Sequence, residues 1–326
     1  MTRVFSGIQP TGELHLGNLL GALQNWVRFQ HEHDCVYCIV DLHALTIPKQ
    51  PGEVGSNTIA LAQLLVATGV DPEQCTLFVQ SHLHQHNELA WLLECTVSYG
   101  ELSRMVQFKD KAAQRDFVSA GLFTYPALQA ADIIGYDTDL VPVGEDQRQH
   151  IEITRDIAER FNARYGDTFV IPEAFIPPAG ARVMDLQHPE NKMSKSADSP
   201  QGSIGMLDDL GAIEKKIKRA VTDNDGDVRY DVATKPGVSN LLSILGAVTG
   251  DQPESLADQY EQYGPLKVDT AAAVCDLLSP IQARYRDLAA DPDAIVEILR
   301  TGADKAGAVI TPVLERARTN IGLTPA

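Results

Sequence analysis

Two lysines, Lys192 and Lys195, stand three apart in NKMSKSADSP (191–200), with only Met193 and Ser194 between them and Ser196 opening a run of small, turn-favouring residues. Paired ammonium groups on such a loop can close over a polyphosphate. One meets the charge that grows on a leaving pyrophosphate, the other holds position, and small neighbours let the loop move. The same spacing also suits a solvated lysine pair on a linker. A second set of candidates lies in SGIQPTGELHLGNLLGAL (6–23), where Gly7, Gly12 and Gly17 crowd a strand-to-helix junction beside His15 and Asn18. Glycines there let a phosphate or ribose approach the backbone, and a helix N-terminus favours negative charge. Neither of the common glycine-rich phosphate motifs, G-x-G-x-x-G or G-x-x-x-x-G-K-[ST], occurs in this segment. A nucleotide site here is of another kind, or the segment is a tight turn with Gly17 and Gly21 as a helix-packing face. A third candidate is VPVGEDQRQH (141–150). A strand runs out at Gly144, and Glu145 and Asp146 fall in the first turn of a helix. They cap that helix, or they face the glycine turn across a crevice at the carboxyl ends of strands.

These residues need a frame to hold them. Segments 3–8, 35–42, 75–81 and 139–144 read as strands. Segments 16–31, 57–68, 125–135 and 145–163 read as helices. The alternation predicts an α/β fold with a parallel sheet. From about 204 onward the patterns are almost only helical, at 206–221, 237–249, 265–289 and 293–320. Pro312 is expected to kink or break the last helix, and Gly322 to stop it. The expected layout is a Rossmann-like parallel-sheet domain over 1–204 with a helical insertion, a helical region over 205–290, and a C-terminal helix over 291–326 that packs back on the first domain.

Composition narrows the function classes. The 326 residues are 44% hydrophobic, enough for a large core. The net charge of −17 argues against a general nucleic-acid coat and against DNA as a partner. It leaves room for a local basic patch, and EKKIKRA (214–220) brings Lys215, Lys216, Lys218 and Arg219 together, as a phosphate-contacting or a solvated helix face. No apolar run reaches the ~18–20 residues of a membrane helix, and the N-terminus has no signal-peptide pattern. Five scattered cysteines exclude a disulfide framework and fit a reducing cytoplasm. Cys35-x-x-Cys38 lies inside an apolar strand and reads as core. SHLHQH (81–86) sets three histidines at alternate positions, but bare spacing is weak support for a metal. An exposed connection is the expectation there, with no metal site.

Taken together, HLGN (15–18) and KMSKS (192–196) resemble the HIGH and KMSKS signatures of class I aminoacyl-tRNA synthetases. Asn18 stands where the general signature has a second His, as in the tryptophanyl branch. GELSRMVQFKDK (100–111), GLFTYPALQAADII (121–134), VPVGEDQRQHIEITRDIAERFN (141–162), KKIKRAVTD (215–223) and GVSNLL (237–242) also resemble that branch, so the likeness covers nearly the whole chain. It implies activation of L-tryptophan by ATP, with Mg²⁺ entering on the phosphates, then transfer to tRNA(Trp) by a homodimer. Gln9, Pro10, Thr11, Gly17 and Asn18 match the family's nucleotide-binding turn, and His15 its phosphate-contacting histidine. Gly144, Glu145 and Asp146 match the adenosine site, and Val183 the adenine contact. Lys192, Met193, Ser194, Lys195 and Ser196 match the mobile loop, whose two lysines bind pyrophosphate oxygens; Lys111 is a further candidate.

Asp132 matches the acceptor for the indole N–H, since indole nitrogen is a donor only and a carboxylate an acceptor only. Tyr125 and Gln147 match positions near the substrate's α-amino group. Gln129 stands where the branch usually has a methionine, and is expected to line the indole pocket. The helical region is where the family reads its anticodon. The alternatives are a tyrosyl relative, a small-molecule nucleotidyltransferase, and a non-catalytic RNA-binding paralogue.

Overall fold

The computed structural model describes residues 1–113, 117–144, 147–175, 182–194 and 200–324. Four of the candidates, Glu145, Asp146, Lys195 and Ser196, lie outside the described residues.

Among the described residues, strands β1 (Arg3–Ile8), β2 (Asp34–Ile39), β3 (Thr76–Val79), β4 (Leu140–Pro142) and β5 (Glu173–Phe175) form one parallel sheet in the order β3-β2-β1-β4-β5. Val4 pairs with Cys35 on one side and Leu140 on the other. Successive strand side chains point to opposite faces, and here both faces are buried. Val4, Cys35, Tyr37, Ile39, Leu77 and Val79 enter one apolar core, whereas Phe5, Val36, Cys38, Val40 and Phe78 enter a second. Burial on both sides explains the unbroken apolar run CVYCIV (35–40). It also puts the buried, free Cys35 and Cys38 on opposite faces, so they cannot act as one redox or zinc pair.

The helices are α1 (Leu16–Asn18), continued by a π-helical turn (Leu19–Leu23) into α2 (Gln24–Phe29), then α3 (Asp41–Ala44), α4 (Glu53–Ala67), α5 (Gln85–Glu94), α6 (Tyr99–Arg104) and α7 (Val106–Ala113). They continue with α8 (Ala120–Ile134), α9 (Arg148–Tyr165), α10 (Leu210–Lys218), α11 (Pro236–Thr249), α12 (Pro253–Ala257), α13 (Tyr263–Ala290) and α14 (Pro292–Ile321). Side chains of α1, α2, α4, α10, α11 and α13 fill the first core, and those of α5, α8 and α9 the second. Helix α14 serves both, with Ile295 and Leu299 in the first and Ala306, Ile310 and Leu314 in the second. It wraps the edge strand β3, and Gly302 makes this possible: a Cβ there would stand 1.8 Å from the Leu77 carbonyl oxygen. Covering the edge removes a row of unpaired backbone groups.

Some boundaries differ from the expected ones. Strand β2 stops at Ile39, and Asp41 opens a short helix where the strand was expected to run on to 42. Strand β5 and the short helices α6, α7 and α12 carry too few residues for a periodic signal. Pro312 does not break α14, which runs from Pro292 to Ile321. The lost N–H costs one helical hydrogen bond, while Ile310, Val313 and Leu314 around it are held in the second core.

Candidate active site

The chain leaves β1 in one direction to β2 and β3, and in the other to β4 and β5. In open α/β sheets the point where strand order reverses leaves a crevice at the strand carboxyl ends. A cavity of about 960 Å³ opens there. Gly7, Ile8 and Gln9 line it from the end of β1, and Val141, Pro142, Val143 and Gly144 from the end of β4. Asn18, Gly21, Lys111, Tyr125, Gln129, Asp132, Gln147 and Lys192 complete its polar lining together with His43, His150 and Arg182.

The turn after β1 is held by its own backbone. Thr11 N–H donates to the Gln9 carbonyl (2.8 Å), and Gly12 takes φ +82°, a conformation that favours glycine. Asn18 Oδ1 accepts from the His15 backbone N–H (3.0 Å) and caps the entry to α1. Gly17 lets the chain close here: a Cβ would lie 3.0 Å from the His15 ring and 3.5 Å from Val183. The π-helical turn that follows carries Gly21, Ala22 and Leu23 along the cavity wall.

The same turn is tied to the far side of the lysine loop. Leu16 N–H donates to the Ile204 carbonyl and Met206 N–H to the Leu14 carbonyl, both at 2.9 Å, so His15 bridges Gly205. The near side of the loop is also anchored. Met184 bridges Lys192, Met193 N–H donates to the Val183 carbonyl (3.1 Å), and the Met193 side chain is buried in the first core. Met193 and Val183 therefore act through packing and backbone, and their side chains are not part of the cavity lining. Lys192, the next residue back, is exposed and faces the cavity. Residues 182–194 and 200–206 thus form two braced stems, cross-linked by the Leu186 N–H to Gly202 carbonyl bond (2.9 Å).

Asp132 occupies the deep end. It is 1% exposed and engaged by three side chains: Oδ1 accepts from Gln80 Nε2 and meets His86 Nδ1, and Oδ2 meets His43 Nε2, each at 2.7 Å. His86 Nε2 in turn meets the Tyr136 hydroxyl at 2.8 Å. Burial pushes the Asp132 pKa up, but the hydrogen bonds to His43 and His86 outweigh it and hold the carboxyl below its ordinary value. Oδ2 carries a single partner, which leaves it acceptor capacity toward the cavity. Tyr125, one face of α8 nearer the mouth, is buried with its hydroxyl 2.7 Å from His150 Nε2, and burial pushes its pKa up to about 12. Lys111 Nζ lies 5.6 Å from the Tyr125 ring centroid.

The structure brings together Gln9, Asn18, Gly144, Gln147, Lys192, Tyr125, Gln129 and Asp132, along with Lys111. His15, Pro10, Thr11, Gly17, Val183, Met193 and Ser194 border the turn and the loop stem without lining the cavity. Three histidines and a glutamine were missed: His43, His86, His150 and Gln80. The expectation of an exposed connection at 81–86 holds for His82 and His84, but His86 is fully buried. The backbone turns from β3 through a short 3-10 segment (Gln80–His82) into α5, so the three do not share a strand face. His43 had a signal in its position, since it follows β2 at the carboxyl edge of the sheet. The basic run 214–220 is partly committed inside the protein. Lys216 donates to Asp208 and the Ser203 carbonyl (2.7 Å each), and Lys218 pairs with Glu214, while Lys215 and Arg219 are exposed.

Residues 1–279 match the family model described as "tRNA synthetases class I (W and Y)". The chain belongs to this family. The class I synthetase is 50% identical over 325 residues to a protein named tryptophan--tRNA ligase from Caldanaerobacter subterraneus subsp. tengcongensis, with 99% of each chain covered. Among solved structures it is similar to tryptophanyl-tRNA synthetase from Mycoplasma pneumoniae, with TM-score 0.89, 35% identity, and 99% and 98% of the two chains covered. It is also similar to the tryptophanyl-tRNA synthetase from Campylobacter jejuni complexed with ADP and tryptophan, with TM-score 0.86, 32% identity, and 99% and 100% covered.

Proposed function

We propose that this class I synthetase is a tryptophan--tRNA ligase, which joins L-tryptophan to ATP to give tryptophanyl-adenylate and pyrophosphate, then transfers the tryptophanyl group to tRNA(Trp). The observation that carries the reading is the Asp132 carboxylate: buried, held ionised, and retaining acceptor capacity at the end of a cavity walled by Phe5, Ile133 and Val141. An indole N–H matches it by one hydrogen bond. A site built to make such a bond rejects an analogue lacking it by about 10⁴–10⁵. Identity of 50% over nearly the full length of a ligase of that name supports the same substrate.

In this reading the tryptophan carboxylate attacks the α-phosphate in line, an oxygen–phosphorus bond forms, and the bond to the β-phosphate oxygen breaks as pyrophosphate leaves. No covalent enzyme intermediate is needed, so positioning and electrostatics supply the rate. Gln9 and Asn18, with Pro10, Thr11 and Gly17 shaping the turn, receive the nucleotide beside Gly144, Glu145, Asp146 and the Val183 backbone. His15, Lys192 and Lys195 meet phosphate charge, with Met193 anchoring the loop and Ser194 and Ser196 within it. Tyr125 and Gln147 face the α-amino group. Mg²⁺ accompanies ATP on its phosphates; the described residues offer no group of three or more His, Cys, Asp or Glu that could hold it, and no step is routed through it.

The reading extends to a catalytic part over 1–204, a tRNA-facing helical region over 205–290 and a C-terminal helix over 291–326. It also extends to a cytoplasmic homodimer, for which exposed Leu45 and Trp91 beside a second cavity supply apolar surface. Among the described residues, no helix is long and apolar enough to cross a membrane.

Amino-acid-dependent ATP–pyrophosphate exchange across the twenty amino acids tests the assignment. Exchange with tryptophan alone is expected; preferred exchange with tyrosine or any other amino acid would overturn it.

A further inference from the structure

Tyr125, Gln129 and Asp132 form one stripe along α8, at spacings of four and three residues, and all face the cavity. The protein itself engages the first and the last. The Tyr125 hydroxyl meets His150, and the Asp132 carboxylate has His43, His86 and Gln80. Gln129 differs: it is half-buried, and among the described residues its amide makes no hydrogen bond. Apolar Leu122, Ile133, Val141 and Val143 share the wall with it. An amide there has two donors and an acceptor to satisfy. Either water or a bound ligand must meet them, and a ligand that covers them without matching them forfeits binding.

The position of Gln129 says which part of a ligand it would meet. Helical rise puts it about 4.5 Å along the axis from Asp132 and about 6 Å from Tyr125. With the indole N–H at Asp132 and the α-amino group near Tyr125, the ring itself lies alongside Gln129. We propose that Gln129 is a specificity-determining residue whose unengaged amide lets this site accept an indole carrying a hydrogen-bonding substituent, a ring hydroxyl or amino group, as an activated substrate beside tryptophan. The amide serves both kinds of group because it donates and accepts. This rests on the reading of the cavity as a tryptophan site.

The test is ATP–pyrophosphate exchange with tryptophan and with its hydroxy-, amino- and methyl-substituted forms at each benzo-ring position, for the wild-type enzyme, Gln129→Met and Gln129→Leu. The expected result has two parts. At one ring position or more, the wild type activates the hydroxy or amino form with kcat/KM within about tenfold of tryptophan. Gln129→Met lowers that ratio at least about tenfold, a loss of about 1.4 kcal/mol, and improves the methyl form at the same position. Each variant's own kcat/KM for tryptophan is the reference, so a general loss of activity does not move the ratio. A ratio of hydroxy form to tryptophan that is low in the wild type at every position, or that neither variant moves, overturns the role of Gln129 while intact tryptophan exchange leaves the ligase reading standing. Absence of tryptophan exchange in the wild type overturns both.

Discussion

Asp132 draws its properties from residues distant in sequence. Its ionised form in a buried site depends on donors from α3, the end of β3 and α5. His86→Leu removes one of them and strips the Tyr136 hydroxyl of its partner, leaving polar groups unsatisfied at a cost of about 1–3 kcal/mol each. Losing a hydrogen bond that lowers the Asp132 pKa raises it. The acid limb of kcat/KM for tryptophan should therefore move to higher pH in the variant, with KM rising more than kcat falls. The depressed pKa also contributes stability that is full above the unfolded carboxylate value of about 4 and is lost as pH falls through the lower folded value. The variant's stability deficit should be largest at neutral pH and narrow in acid. A pH profile of tryptophan activation with an unmoved acid limb would show that His86 is only a packing residue.

At the scale of elements, two close approaches hold the site's frame in place: the signature turn against residues 204–206, and α14 against the edge of β3. The second is the easier to break. Ala at 302 would set a Cβ 1.8 Å from the Leu77 carbonyl oxygen, which belongs to backbone and cannot swing aside. Gly302→Ala should cost at least about 2–3 kcal/mol in urea unfolding, as the helix is levered off the strand. Gly307→Ala, on the same helix, meets only Leu83 at 3.4 Å and should be neutral or stabilising by up to about 1 kcal/mol, since Ala suits a helix better. Equal effects of the two would mean that α14 does not lie against β3 as described. This close approach was not legible in the sequence. The helix over 293–320 was, through its period, but a glycine within it gives no sign of which strand it will meet.

For the whole molecule, the net charge of −17 repels a polyanion such as tRNA everywhere except at local cationic surface. Lys216 is committed to Asp208, so the basic run offers at most the exposed Lys215, Lys218 and Arg219, with Lys218 shared with Glu214. A small number of phosphate contacts gives a moderate salt dependence. Between about 50 and 200 mM NaCl, KM for tRNA should rise about ten- to a hundredfold, where six to ten contacts would give about 10³–10⁵. Tryptophan-dependent pyrophosphate exchange should change by less than about twofold, because its charges meet inside the crevice and are less screened. Parallel loss of both activities would place the salt effect on the ATP site or on the fold.

Much of the site was written in local order. The glycine turn with its histidine, the lysine loop, the acidic residue between apolar neighbours on a helix, and the alternation of strands and helices all follow from short-range spacing. Backbone conformation and face periodicity are set over a few residues, and these signals survive without knowing the fold. Other features were decided only when the chain closed. Met193 became a buried anchor because the first core lies beneath Val183, Leu186 and Met193. His86 became a partner of Asp132, and its neighbours His82 and His84 did not, because a short 3-10 segment turns the chain between β3 and α5. Gln129 was left without a hydrogen-bond partner among the described residues because apolar Val141 and Val143, from the end of β4, share its wall. In each case the deciding contact joins residues far apart in sequence, and no local pattern specifies which distant surface a side chain will meet.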